Sequence, residues 1–147
     1  MRVFGIDESY QMCLWVTRHR NEVRGNGYAH YISVARGVSQ SLPFPNRAFN
    51  SVVATFPSNY IFDAHTLHEI SRVLIPEGKF AIVLSATITG RDILSKIYAL
   101  IFRITESPVD WHPAFINALA NEHLIGRFQL INLPTSQVGL IVGEKAL

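Results

Sequence analysis

The chain has 147 residues, of which 48% are hydrophobic and 16% charged, a composition typical of a single globular domain. The formal net charge is +2 and the basic residues are scattered, so no nucleic-acid partner is predicted. One cysteine excludes an internal disulfide and a cysteine-based metal cluster, which fits a cytoplasmic protein. The N-terminal apolar run is too short for a secretory signal, and charged residues interrupt the longest later run, at 93–104. We therefore expect no membrane span.

The first half of the chain alternates strands and helices. In order, we predict a strand at 3–6, a helix at 10–22 capped by Ser9, a strand at 31–35, a loop at 37–49 and a strand at 51–56. The glycines of the segment Gly25-Asn26-Gly27 are expected to end the first helix.

The second half continues the alternation and then changes character. Asp63 begins a predicted helix that Pro76 stops, and a strand follows at 79–84. The remaining predicted elements are helices at 92–103 and 113–124 and an antiparallel pair of strands at 127–133 and 137–144. This order predicts an α/β domain whose sheet is mostly parallel, has helices on both faces and ends in an antiparallel hairpin.

Ligands of open α/β sheets bind outside the carboxyl ends of the strands, which directs attention to Asp7. A carboxylate that directly follows a buried strand can accept hydrogen bonds from both hydroxyls of a ribose. The alternative is that Asp7 and Glu8 only favour the start of the next helix through its dipole. The pattern alone leaves both interpretations open.

Four segments carry a more specific signal. They read VFGIDESYQM at 3–12, GVSQSLPFP at 37–45, AFNSVVA at 48–54 and LHEISRVLIPEGK at 67–79. Together, in this order and spacing, they resemble class I S-adenosylmethionine-dependent methyltransferases. In that family a strand ends in Gly-aliphatic-Asp, a loop runs into Leu-Pro-Phe, and a Glu-x-x-Arg-Val-Leu-x-Pro-Gly-Gly segment precedes the fifth strand. The resemblance implies a Rossmann-like methyltransferase sheet, S-adenosylmethionine as cofactor and a small-molecule acceptor.

The resemblance also implies roles for individual side chains. Asp7, with Glu8 beside it, is expected to hold the ribose hydroxyls, and Met12 to pack near the adenine. An ordinary core position on the helix is the alternative for Met12. Val38, Ser39 and Gln40 are expected to flank the adenine. Thr55, Phe56 and Pro57 are expected to line the floor below the sulfonium.

Several departures from the family pattern bear on activity. Nothing before Met1 supplies the family's first strand and the glycine-rich loop that contacts the methionine part of the cofactor. Val38 stands where many relatives carry Asp, and Asn50 and Glu77 replace an Asp and a Gly. We therefore weigh two hypotheses, methyl transfer to a small molecule and a catalytically inactive remnant that serves as a binding or dimerisation module. A homo-oligomer fits either hypothesis.

The absent first strand has a structural consequence. In the family strand order, 3-2-1-4-5-7-6, it lies between the second and fourth strands, whose backbone groups would then lack partners. Three outcomes are open: the two neighbours pair directly, another chain fills the gap, or the fragment folds poorly.

The remaining polar residues give structural expectations, and no catalytic residue is identified. Glu69 and Arg72 are three apart on one helix and are expected to form an ion pair that fixes the helix against the sheet. His65 and His68 have a spacing that suits a metal, but no third ligand is apparent, so exposed surface histidines are favoured.

Overall fold

The computed structural model describes residues 2–23, 32–55, 57, 59–88 and 113–147. The chain divides into two compact units, Met1–Pro43 and Phe44–Leu147. The sequence features at 25–27 and 92–103 lie outside the described residues. Within these ranges, no helix combines the length and the apolar character that crossing a membrane requires.

The unit Met1–Pro43 contains strand β1 (Val3–Asp7), helix α1 (Tyr10–Val23) and strand β2 (Ile32–Arg36). The two strands are parallel and in register from Val3 opposite Ile32 to Asp7 opposite Arg36. Their carboxyl ends therefore meet at one edge, as a strand-helix-strand unit requires. All three elements were predicted, with bounds that differ by one residue at most at each described end.

The unit Phe44–Leu147 is built on a sheet of four strands. They are β3 (Phe49–Thr55), β4 (Leu74–Ile88), β5 (Leu124–Asn132) and β6 (Ser136–Lys145), and their order across the sheet is β3-β4-β6-β5. Pairing is parallel between β3 and β4 and antiparallel in the other two pairs. A 3-10 helix (Asn59–Phe62) and two α-helices, α2 (Ala64–Val73) and α3 (Pro113–Asn121), complete the described elements.

The core of this second unit lies between helices α2 and α3 and one face of the sheet. Its fully buried members are large aliphatic residues from both layers, among them Leu67, Leu119, Leu124, Ile82 and Ile141. Each such side chain contributes about 1.5–3 kcal/mol by leaving water. Helix α2 turns an apolar stripe to this core because Leu67 and Ile70, three residues apart on the helix, are both buried.

The predicted boundaries between α2 and β4 and between α3 and β5 were wrong for physical reasons. Helix α2 ends at Val73, and the chain is already extended at Leu74, whose N–H bonds to the carbonyl of Ile70. Pro76 disfavours helical backbone in the residue before it, so β4 begins five residues earlier than predicted. Helix α3 ends at Asn121, because His123 has a φ of 58° and Leu124, only 1% exposed, already belongs to β5.

The strand orders agree with the family order once its first strand is removed. β1 and β2 correspond to the family's second and third strands, and β3-β4-β6-β5 to its fourth, fifth, seventh and sixth. Within the described ranges, β1 pairs with β2, β3 pairs with β4, and the two pairs belong to different sheets.

Arg72 joins helix α2 to the segment before β3. Its Nε and Nη2 donate to the two carboxylate oxygens of Glu69, at 2.6 and 2.8 Å. Its Nη1 donates to the carbonyl of Phe44 at 2.7 Å and to Oδ1 of Asn46 at 2.9 Å, while its own carbonyl accepts from the N–H of Arg47. The hydrogen bond with Glu69 raises the pKa of Arg72 above its ordinary value. The predicted ion pair is confirmed, but it fixes the helix to segment 44–47 rather than to the sheet.

Replacing Arg72 with lysine removes the planar fork while keeping the charge. We expect Arg72→Lys to lower the free energy of unfolding by about 1–2 kcal/mol, since one ammonium cannot serve both the carboxylate of Glu69 and the carbonyl of Phe44. Urea unfolding of the full chain measures this change. Arg18→Lys, at an exposed position of α1, is the matched control and should change stability by less than about 0.5 kcal/mol. Equal losses in the two variants would contradict the role given to Arg72.

Glu77 occupies a backbone conformation that favours glycine. Its φ is 61°, and the family has glycine at this position before the fifth strand. A left-handed backbone conformation costs a residue with a Cβ about 1–2 kcal/mol. Glycine avoids this cost but loses more conformational entropy on folding, which offsets part of the gain. We expect Glu77→Gly to raise the free energy of unfolding by about 0.5–1 kcal/mol in the same urea titration.

Glu77→Ala is the control for charge, because it removes the carboxylate but keeps the Cβ. It should give no gain in stability. A gain from alanine equal to that from glycine would show that charge, and not backbone conformation, sets the cost at this position.

Candidate cofactor-binding site

Asp7 lies where the sequence placed it, at the carboxyl end of β1. Its carbonyl accepts a hydrogen bond from the N–H of Gly37 at 3.1 Å, so the residue after β2 is fixed directly beside it. Its side chain is half-buried. The carboxylate thus stands at the rim of the β1–β2 edge, next to the start of the predicted adenine-side loop.

One of the two carboxylate oxygens of Asp7 is already used. Oδ1 accepts from the N–H of Ser9 at 2.7 Å, and the hydroxyl of Ser9 accepts in turn from the N–H of Met12 at 3.3 Å. These bonds start helix α1 and hold the carboxylate in one orientation. Within the described residues, Oδ2 has no hydrogen-bond donor. The two sequence interpretations of Asp7 are therefore compatible, because one oxygen serves the helix start and the other is available to a ligand, and the role toward a ribose stays a prediction.

The segment after β2 forms a compact turn. The N–H of Ser41 bonds to the carbonyl of Val38 at 3.3 Å, and the hydroxyl of Ser39 bonds to Oε1 of Gln40 at 3.2 Å. Ser39 and Gln40 are half-buried, whereas the side chain of Val38 is exposed. The turn follows Gly37 directly, so these three positions lie close to the rim that carries Asp7.

Met12 and Glu8 complete the set of residues proposed for this unit. Met12 lies in the first turn of α1 and is 49% exposed, so the alternative of a core position is not supported. The side chain of Glu8 is exposed as well. An exposed thioether one helical turn from the carboxylate is a surface on which an aromatic ring can pack.

Two residues of this rim were missed by the sequence analysis. Arg36 lies opposite Asp7 in the strand register and donates from Nε to the carbonyl of Glu8 at 2.9 Å, which ties the two strand ends together. The thiol of Cys13 is buried and points to the carbonyl of Asp7 at 3.5 Å. The signal for Arg36 was its position at the end of a strand parallel to β1, which follows only after the register is known.

An adenosine group fits the residues present. A ribose diol needs a fixed acceptor, which Oδ2 of Asp7 provides, and an adenine ring needs apolar surface, which the exposed Met12 and Val38 provide. The fit is incomplete at one point. Val38 has no acceptor for the adenine amino group, so that contact is left to the backbone carbonyls and polar side chains of the turn.

The other three proposed cofactor residues belong to the second unit or its undescribed part. Thr55 is the last residue of β3, exposed, and paired with Val83 of β4. Pro57 is half-buried, and Phe56 lies outside the described residues. The assignment of these residues to the sulfonium end of the cofactor stays a prediction.

The two histidines of α2 are surface residues, as the sequence favoured. The side chains of His65 and His68 are 84% and 63% exposed. Nδ1 of His65 lies 3.1 Å from Oδ1 of Asp63, which also caps the helix, and Nδ1 of His68 lies 2.9 Å from Oε2 of Glu122. Each histidine thus contacts a neighbouring carboxylate at the protein surface.

Comparison with known proteins gives the family. A family described as a methyltransferase domain matches residues 1–82, which include β1, α1, β2, β3 and α2. The ubiquinone/menaquinone biosynthesis C-methyltransferase UbiE of Geobacter sulfurreducens is 31% identical over 101 residues, 68% of this chain and 38% of that protein. UbiE of Hahella chejuensis is 32% identical over 80 residues, 54% of this chain and 32% of that protein. The matches thus span about a third of the length of these relatives.

Solved structures show the same fold over nearly the whole chain. The YcgJ protein of Bacillus subtilis superimposes with a TM-score of 0.68 at 17% identity, over 99% of this chain and 83% of that one. The geranyl diphosphate C-methyltransferase of Streptomyces coelicolor gives 0.68 at 16% identity, over 99% of this chain and 64% of that one. The α/β, Rossmann-like fold predicted from the sequence is confirmed. By its match over residues 1–82, the chain belongs to the methyltransferase-domain family of class I S-adenosylmethionine-dependent methyltransferases.

Proposed function

We propose that this chain binds S-adenosylmethionine by its adenosine part at the carboxyl edge of β1 and β2, and that it serves methyl transfer to a small-molecule acceptor. The observation that carries the proposal is the fixed carboxylate of Asp7, with one oxygen engaged by Ser9 and the other available beside Gly37. The names of the relatives support a small organic acceptor, since they act in ubiquinone and menaquinone biosynthesis or on geranyl diphosphate.

The residues at this edge would bind and orient the cofactor. Oδ2 of Asp7 accepts from the ribose hydroxyls, and the exposed side chains of Met12 and Val38 contact the two faces or the edge of the adenine. When bound, S-adenosylmethionine supplies a methyl group on a positively charged sulfur. Transfer then depends chiefly on holding the acceptor in line with that methyl group. Because the ribose links the adenine to the sulfonium, fixing it at Asp7 limits where these two groups can lie.

A second candidate function is a binding or dimerisation module without methyl transfer. The aliphatic Val38, in place of the acidic residue of many relatives, favours it because it removes one polar contact to adenine. The two candidates differ in ligand affinity. Calorimetric titration of the full chain with S-adenosylmethionine should give a micromolar dissociation constant for an enzyme, whereas no heat at millimolar ligand would establish the module.

We propose a cytoplasmic location, because the single cysteine of the chain is a buried free thiol and needs no oxidising compartment.

Asp7→Asn tests the role of the carboxylate with little disturbance to the fold. The amide keeps an Oδ1 that can accept from Ser9 but replaces the ligand-facing oxygen with a donor. A hydrogen bond to a charged group contributes about 1.5–3 kcal/mol, so we expect affinity for S-adenosylmethionine to fall about 10- to 100-fold in the calorimetric titration.

Glu77→Gln is the matched control, because it removes one negative charge at an exposed position outside the proposed site. Its affinity for S-adenosylmethionine should stay within about twofold of the parent, since Glu77 is not one of the residues proposed to contact the cofactor. An Asp7→Asn variant that binds as tightly as the parent would overturn the assignment of the ribose to Asp7.

A further inference from the structure

Strand β5 is one of the two outer strands of the four-stranded sheet. Its nine residues, Leu124–Asn132, pair along their whole length with β6 and with no other strand of the described residues. Among the described residues, the backbone N–H and C=O groups on its other edge have no strand partner. Proteins protect such edges with several charges, prolines or bulges, but β5 has one charged residue, Arg127, and no proline.

The side chains of β5 are unusually apolar for an outer strand. Four large hydrophobic residues, on both faces of the strand, are between 38% and 62% exposed: Ile125, Phe128, Leu130 and Ile131. An exposed, regular and apolar edge of this length is typical of a strand that pairs with another chain.

The sequence of β5 is complementary to itself in an antiparallel arrangement. If Phe128 lies opposite Phe128 of a second copy, Ile125 lies opposite Ile131 and Arg127 opposite Gln129. Leu130 then lies opposite Gly126, which has no side chain to oppose it. Apolar side chains meet apolar ones, and the single cation meets a neutral amide. Centring the pair on Arg127 would instead place two guanidinium groups opposite each other, which is unfavourable.

We infer that two copies of this chain associate through antiparallel pairing of their β5 strands about a twofold axis at Phe128. The two four-stranded sheets then form one continuous sheet. The partner is a second copy, because this register sets the large apolar residues Ile125, Phe128 and Ile131 against one another and the single cation of each strand against a neutral amide. The inference is independent of cofactor binding and extends the expectation of a homo-oligomer to a defined surface and register.

Two substitutions at Gln129 test the register with opposite expected signs. Gln129→Glu places a carboxylate opposite Arg127 of the second copy, twice in the dimer, whereas Gln129→Arg places a second cation there. We expect the dimer dissociation constant to fall about two- to tenfold for the glutamate variant and to rise by a similar factor for the arginine variant. Sedimentation equilibrium of the full chain over a range of concentrations measures both constants.

Gln11→Glu and Gln11→Arg are matched controls, since they make the same changes of charge at an exposed position on α1. They should leave the dissociation constant within about twofold of the parent. Circular dichroism melting of each Gln129 variant separates a change in association from a change in folding.

Two results would overturn the inference. One is a parent chain that sediments as a monomer up to about 100 μM. The other is a dimer whose dissociation constant responds to neither Gln129 substitution, or shifts in the same direction for both. That dimer would use a different surface, such as the open edge of β1 or of β3.

Discussion

The parallel register between β1 and β2 is the constraint on which the proposed cofactor site depends. Because Asp7 lies opposite Arg36, the residues that follow the two strands leave the sheet at the same edge. The hydrogen bond from the N–H of Gly37 to the carbonyl of Asp7 extends the pairing by one residue. A slip by one residue would turn Asp7 to the opposite face of the sheet, so backbone pairing alone decides whether a carboxylate stands beside the turn at 38–41.

The same few residues serve both the fold and the proposed chemistry. Oδ1 of Asp7 satisfies the N–H of Ser9, and Ser9 satisfies the N–H of Met12, so the start of α1 is capped by the residues that present the carboxylate. The orientation of the carboxylate is then set before any ligand arrives, which lowers the entropic cost of binding. This double use explains why motif and local structure agree so closely in this unit.

How far the sequence predicted the structure depended on whether a feature was local. Helix α1 and strand β2 were within one residue of prediction where they are described, because capping by Ser9 and runs of β-branched residues act over short distances. The wrong boundaries at Val73 and Asn121 lie where Leu74 and Leu124 continue the apolar pattern of a helix but are buried in the strand that follows it. The hydrogen bonds from Arg72 to Phe44 and Asn46 span more than 25 residues of sequence, and hydrophobic periodicity does not predict such contacts.

The candidate site was likewise predicted only in its local features. The resemblance identified Asp7, Met12 and the turn at 38–40, whereas Arg36 and Cys13 emerged only from the register and the packing of α1. The sheet order likewise followed from the family and not from the pattern of hydrophobic residues. Within the described ranges, one edge of β1 and one edge of β3 also lack a strand partner, and the family's first strand pairs with both of the corresponding strands. Those edges differ from β5, since the family fold supplies a strand for them and none for β5.

The most direct test of the account is amide chemical-shift mapping of the nitrogen-15-labelled full chain titrated with adenosine, which lacks the methionine part of the cofactor. The account predicts saturable shifts at the backbone amides of Asp7, Ser9, Met12 and Gly37 through Gln40. It would be contradicted if adenosine at saturating concentration left these amides unchanged, or if the saturable shifts were confined to residues of the four-stranded sheet.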